Sequence, residues 1–237
     1  MSEMPNFDSI CSGHIYQIPL NQRGFSWEVK NLKELLEDLS LAGTDAHFMG
    51  TIVATTIEGG NIRDCNNASY SRWRLDDGQQ RITALMILVN EISKKLLELG
   101  GDNEKQVANE INKLLFIEKT EGVKSLTLEN LNEELHNSLS FILLGTPPRP
   151  AEISPPMKAL DKVRDYAKEV VNSKAKNDLI SLKNQICTNL KFNLVDLANA
   201  GINRHLAFDA INSRGLPLSE FDKIKNFCGL LHRKCTL

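Results

Sequence analysis

The run LDDGQQRITAL, residues 75–85, puts two carboxylates, a glycine, two carboxamides and a guanidinium directly ahead of an apolar segment. Such a set suits the binding of an anion. Gly78 can adopt positive φ and lets a ligand approach the backbone. If a helix begins after it, the amides of the first turn lack internal partners and lie at the positive end of the helix dipole. Gln79 and Gln80 add uncharged donors, and Arg81 adds a planar fork that matches phosphate. Asp76 and Asp77 carry the wrong sign to touch phosphate. They suit a Mg²⁺ ion, a ribose hydroxyl or the orientation of Arg81. The competing reading is a plain strand-to-helix turn, with Asp77 capping the helix and pairing with Arg81. The run is not a P-loop, because G-x-x-x-x-G-K-[ST] occurs nowhere in the chain.

Two further stretches share this character. IPLNQRGFSW, residues 18–27, sets Gln22 and Arg23 beside a glycine and two aromatics; the plainer alternative is a loop whose Phe25 and Trp27 plug the core. FDAINSRGLPLSEFDKIKN, residues 208–226, places Asn212, Arg214 and Gly215 in a turn before a helix that starts with Ser219-x-x-Asp222, a variant capping box. Here the alternative is a helix-to-helix corner.

The elements that must position these residues follow from periodicity. Leu32, Leu35, Leu36 and Leu39 predict an amphipathic helix closed by Gly43. HFMGTIVATTIE reads as a largely buried strand and YSRWRL as a second strand antiparallel to it, with the loop GGNIRDCNNAS between them. Ile82, Leu85, Met86, Val89, Ile92 and Leu96 predict a helix, which Ile87 and Leu88 make apolar on more than one side, so it belongs inside the core. After Asp102 the segments NEKQVANEINKLLFIEK, LENLNEELHNSLSFILLG, ISPPMKALDKVRDYAKEVVNSK and KNDLISLKNQICTNL all read as helices, with GTPPRPAEISPP as the clearest linker and KFNLVDLA as a short strand. The expected class is α+β, a small mixed sheet with helices over residues 1–100 followed by a mainly helical portion over 101–237.

Bulk properties narrow the functions. The chain has 237 residues, 41% hydrophobic and 24% charged, which is ordinary globular composition. Its net charge of −2 excludes a whole-molecule positive field for nucleic acid, although Arg72, Arg74 and Arg81 could form a local patch. The five cysteines (Cys11, Cys65, Cys187, Cys228, Cys235) have no C-x-x-C spacing and read as buried small side chains rather than a metal or disulfide framework. No segment approaches the ~18 apolar residues of a membrane span, and the N-terminus lacks a signal pattern, so no membrane association and a cytoplasmic location are expected.

Taken together, the blocks IPLNQRGFSW, HFMGTIV, RLDDGQQRITAL and FDAINSRGLPLSEFDKIKN resemble, in order and across residues 18–226, the N-terminal domain family of GmrSD-type restriction endonucleases, bacterial phage-defence proteins acting on modified DNA. The resemblance implies a ParB/sulfiredoxin-like core in which a Gly-to-Arg turn holds nucleotide phosphates. Gly78, Gln79, Gln80 and Arg81 match its nucleotide motif, Gln22 and Arg23 its flanking motif, and Asn212, Arg214 and Gly215 its third block. This chain has Leu20-Asn21 before Gln22, Phe25 in place of a frequent tyrosine, and RITAL in place of R-L-T-T-L. Family members commonly add an HNH-type nuclease domain. The five histidines (His14, His47, His136, His205, His232) are dispersed, so no nuclease activity is expected of this chain alone.

Three functions compete. The first is an NTP-binding and hydrolysing regulatory module, with phosphates on residues 78–81, Arg23 as a clamp, Asp77 and Arg81 as catalytic groups, and Asp76 and Asp77 as Mg²⁺ ligands. The nucleotide (ATP, GTP or CTP) is left open. The second is a non-catalytic module that reads modified DNA through Arg72, Arg74 and the Asn212–Gly215 turn. The third is a structural regulator whose C-terminal helix packs on an HNH nuclease partner or on a second copy as a homodimer. The first is the expectation carried forward.

Overall fold

The computed structural model describes residues 4–148 and 152–198. The Asn212–Gly215 turn, the helix from Ser219, His205, His232, Cys228 and Cys235 lie outside the described residues.

The chain opens with a short helix, α1 (Phe7–Cys11), and a strand, β1 (His14–Ile18). Helix α2 (Val29–Ala42) follows from the leucine stripe: Leu32, Leu35 and Leu39 are buried, and Gly43 ends the helix at φ 61°. Its start is closed reciprocally by Glu28 and Asn31. Strands β2 (His47–Thr56) and β4 (Ser69–Asp77) pair antiparallel as expected, and the loop between them holds a two-residue strand, β3 (Ile62–Arg63). Helix α3 (Gln79–Leu99) is the axis of the core, with Ile87 and Leu88 as fully buried as the residues on its main stripe. Helices α4 (Asp102–Leu115), α5 (Glu133–Leu144), α6 (Pro155–Asn172) and α7 (Lys176–Asn184) complete the helical layer; a π-helical turn (Gln185–Asn189) joins α7 to the last strand.

Two helical expectations are corrected. Phe116–Thr120, read as the end of a helix, forms β5 and pairs antiparallel with β6 (Val123–Leu126); Leu128–Asn130, read as a helix start, forms β7. The apolar spacing of LLFI fits either period, and β5 turns extended where Phe116 and Ile117 bury against Leu126 and Ser125. The expected strand at KFNLVDLA is present as β8 (Leu190–Asp196).

The main sheet is mixed, in the order β7-β1-β4-β2-β8, so it takes strands from both sides of residue 100. Strand β1 is parallel to β4 and β7, and β2 is parallel to β8. Alternation along the strands sorts the two faces. Tyr16, Ile18, Ala54 and Leu75 enter the main core with α3. The opposite face carries Gln17, Arg72, Arg74, Thr55, Asp76 and Glu129, beside a small apolar cluster of Val53, Val195 and Leu197. Among the described residues, no helix is long and apolar enough to cross a membrane.

Candidate functional site

The 75–85 run folds as a strand running into a helix through one glycine. Gly78 is the N-cap of α3 at φ 99°, in the left-handed region that glycine tolerates, and a Cβ there would stand 3.0 Å from the Ile52 side chain. The first helical hydrogen bond runs from the Ile82 amide to the Gly78 carbonyl at 3.0 Å. The amides of Gln79, Gln80 and Arg81 precede it and are the orphan donors of the helix start. Asp77 makes no side-chain cap to the helix, so that half of the plain-turn reading is not seen. The other half is: Arg81 Nη2 donates to Asp77 Oδ2 at 3.3 Å.

Helical geometry splits the turn into two sides. Gln79, Gln80 and Thr83 face β1, α5 and α6, where they line a cleft with Arg23, Asn130 and the apolar Ile18, Phe25, Leu135, Leu139 and Leu160. Arg81 and Asp77 face β2. There Arg81 Nη1 donates to the Met49 carbonyl at 3.2 Å, hard against Gly50.

The two carboxamides have different duties. Gln80 fixes the 21–28 loop, donating to the Gly24 carbonyl at 3.1 Å and accepting from the Ser26 amide at 2.8 Å. Gln79 donates to Gln22 Oε1 at 3.2 Å, while its own oxygen is buried without a partner; the residue is only 6% exposed. Gln22 in turn donates to the Asp76 backbone carbonyl at 2.9 Å. Phe25 is buried in the core and Trp27 packs at its margin, so the aromatics of this loop do serve as plugs. Between them and Gln22, the half-buried Arg23 has no hydrogen bond or ion pair with any described residue, and its side chain lines the cleft.

The neighbouring acids are not equivalent. Asp76 is 3% exposed, with Oδ1 taking the Arg74 Nε–H at 2.9 Å and Oδ2 the Thr55 hydroxyl at 3.0 Å. Both oxygens are committed, which leaves a metal ion no open edge. Asp77 is about a third exposed, and only its Oδ2 is engaged, by Arg81. Arg72 is likewise committed, with Nη2 reaching both Glu129 oxygens at 3.1 Å. Burial would raise the Glu129 carboxyl, but hydrogen bonds from Gln17 and Lys119 and the charges of Lys119 and Arg72 hold it below its ordinary value. Both strand arginines proposed for DNA backbone therefore sit in ion pairs within the sheet face.

Among the described residues, no three His, Cys, Asp or Glu side chains gather into a metal-binding group. His14 stacks edge-on against Trp73, and burial lowers its pKa; His136 Nδ1 accepts from the Asn130 amide. Cys11 and Cys187 are buried, whereas Cys65 is exposed. Gly50, Met49, Thr55, Thr83 and Asn130 enter the site without having been singled out in the sequence. A glycine inside an otherwise β-branched strand is the one signal that was there to be read.

Compared with known families, residues 5–228 match the sequence model described as GmrSD restriction endonuclease, N-terminal domain. No curated protein matches the sequence.

Proposed function

The chain belongs to the N-terminal domain family of GmrSD restriction endonucleases, and from that premise we propose that it is the nucleotide-binding, hydrolysing regulatory module of a restriction system. The observation that supports this reading best is one cleft at the start of α3 that joins the unpaired Arg23 guanidinium with the unpartnered Gln79 oxygen. A half-buried cation without a counter-charge attracts an anion, and the leading amides of a 21-residue helix add the positive end of its dipole. The ligand is a nucleoside triphosphate whose phosphates lie over the leading amides, between Arg23 on the cleft side of the turn and Arg81 on the β2 side. Gln79 accepts a hydrogen bond from a donor group of the ligand, and Arg81 neutralises charge that develops as the phosphoanhydride is cleaved by water.

A Mg²⁺ ion fits Asp77, whose Oδ1 has no hydrogen-bond partner among the described residues, and does not fit Asp76, whose two oxygens are filled. Bound there with the phosphates, it would draw charge from the anhydride oxygens. The DNA linkage and a nuclease partner enter this proposal through the family. Reading modified DNA without turnover has less support, since Arg72 and Arg74 are already paired.

The test is phosphate release from ATP, GTP and CTP with Mg²⁺, comparing the wild-type chain with Arg81→Ala, alongside binding of each nucleotide. Binding and release by the wild type, lost in a folded Arg81→Ala protein, are expected. Equal affinity in the two proteins would overturn the assignment.

A further inference from the structure

We propose that Gly50 is a positioning residue for Arg81: the absence of a side chain in mid-β2 makes the notch that holds the guanidinium beside the turn. Its consequence for ligand binding rests on the phosphate reading given above; the packing itself does not.

Four observations meet at this position. Gly50 has φ 116°, a conformation that L side chains rarely adopt. The register of β2 against β8 shifts between Phe48 and Gly50, leaving Met49 without a partner in that ladder. The Met49 carbonyl is the group that accepts from Arg81 Nη1, at 3.2 Å. A Cβ on residue 50 would stand 2.1 Å from that same Nη1 and 3.3 Å from Cζ. Since these atoms are the far end of a flexible side chain, the added carbon would displace the guanidinium rather than the strand. Across the notch Asp77 takes Nη2 at 3.3 Å. Arg81 is thus held by a carbonyl that the strand irregularity leaves available, by a carboxylate of its own turn, and by a surface that only glycine provides. Irregularities that re-aim side chains in this way recur beside functional sites.

The arrangement also explains why the strand is irregular here. A plain ladder through Met49 would commit its carbonyl to β8, and any side chain at residue 50 would fill the space where Arg81 lies. Arg81 would then swing into solvent, away from the helix start.

The experiment compares wild type, Gly50→Ala, Arg81→Ala and the double variant, measuring Tm and the Kd for ATP, GTP and CTP with Mg²⁺. Gly50→Ala is expected to weaken nucleotide binding by about ten-fold or more, the loss of one charge-assisted hydrogen bond, and to add little to Arg81→Ala. It is expected to lower Tm further in wild type than in the Arg81→Ala background, where only backbone strain is left to act. A Gly50→Ala protein that folds only when Arg81 is absent supports the notch. Equal Tm losses in the two backgrounds, or failure to fold in both, overturn it, because strain alone would then account for the glycine. If the wild type binds none of the three nucleotides, the phosphate reading falls, and the Tm comparison still decides whether Gly50 seats Arg81.

Discussion

Gln79 donates its side-chain amide to the side-chain oxygen of Gln22 across 3.2 Å, joining residues 57 positions apart. With the Gln22 amide on the Asp76 carbonyl and the Gln80 carboxamide on Gly24 and Ser26, the glycine turn and the 21–28 loop form one hydrogen-bonded unit. Arg23 is therefore presented by a braced loop rather than a free one. A bound anion then needs to order little more than one side chain, which lowers the entropic cost of binding.

The bracing role of Gln80 is open to a direct test. Its carboxamide is buried and makes one donor and one acceptor bond to loop backbone. Gln80→Ala leaves both backbone groups without that partner and is expected to lower stability by about 2 kcal/mol. Gln80→Glu keeps the acceptor for the Ser26 amide but sets a carboxylate against the Gly24 carbonyl, so it should destabilise at least as much. Urea denaturation of the three proteins is the measurement; an unchanged midpoint for Gln80→Ala would show that the loop is held by other means.

Asp76 and Asp77 should separate cleanly on substitution. Asp76→Asn takes the charge from a buried carboxylate that pairs with Arg74, and a loss of about 3 kcal/mol is expected, in the range for breaking a buried pair. Asp77→Asn touches only a partly exposed pair with Arg81, for which about 0.5 kcal/mol is the expected scale. Nucleotide hydrolysis should follow the opposite order per unit of stability lost, falling most sharply in Asp77→Asn. Thermal melts and phosphate release on the same samples decide this, and a stable Asp76→Asn protein would remove its structural role.

Much of this architecture was legible in the residues. The leucine stripe of α2, the all-round apolar α3 and the antiparallel β2–β4 pair follow from periodicity, because each buries one continuous surface. The strands β1 and β7 did not emerge, for a physical reason: each has five residues or fewer and is defined by a partner far away in sequence rather than by its own pattern, while β5 was hidden because the apolar spacing of LLFI continues the helical period of α4. At the site, the sequence brought Gln22, Arg23 and the 76–81 run under notice. It could not tell that Asp76 points to the sheet face while Asp77 meets Arg81, since strand alternation acts on them just where the helix begins. Met49 was invisible for a similar reason, as a strand irregularity is set by pairing, and Gly50 showed only as a glycine inside a β-branched strand.

Arg23 offers a contrast with the bracing residues. Because it has no partner among the described residues, Arg23→Ala should leave Tm within the range of a neutral surface change. In the proposed function it should nevertheless weaken nucleotide binding by about ten-fold or more, since a charged hydrogen bond to phosphate is lost. Arg23→Lys keeps the charge but not the fork and should recover only part of the affinity. Isothermal titration with ATP, GTP and CTP, run beside a thermal melt, checks both statements. Lost stability with intact affinity would assign Arg23 to the fold instead.

Glu129 predicts how the sheet face responds to acid. Its carboxylate accepts from Gln17 at 2.9 Å, from Arg72 at 3.1 Å and from Lys119 at 2.9 Å, and its side chain is 15% exposed. Burial acts to raise its pKa, yet those donors and charges outweigh it and hold the value below the ordinary 4.5. The folded state therefore binds the proton less tightly than the unfolded chain. Its contribution is fully present above about pH 4.5 and is lost as the pH falls through the lowered folded value. Glu129→Gln should cost about 2 kcal/mol at neutral pH, as charge-assisted bonds become neutral ones and Arg72 and Lys119 lose their counter-charge. The gap between the two proteins should narrow steadily below about pH 4.5, because the wild type there protonates the same group. Urea midpoints measured from neutral pH down to about pH 3 test this. A gap that stays constant across the range would mean that the carboxylate charge does not hold β1, β4 and the β5–β6 ribbon together.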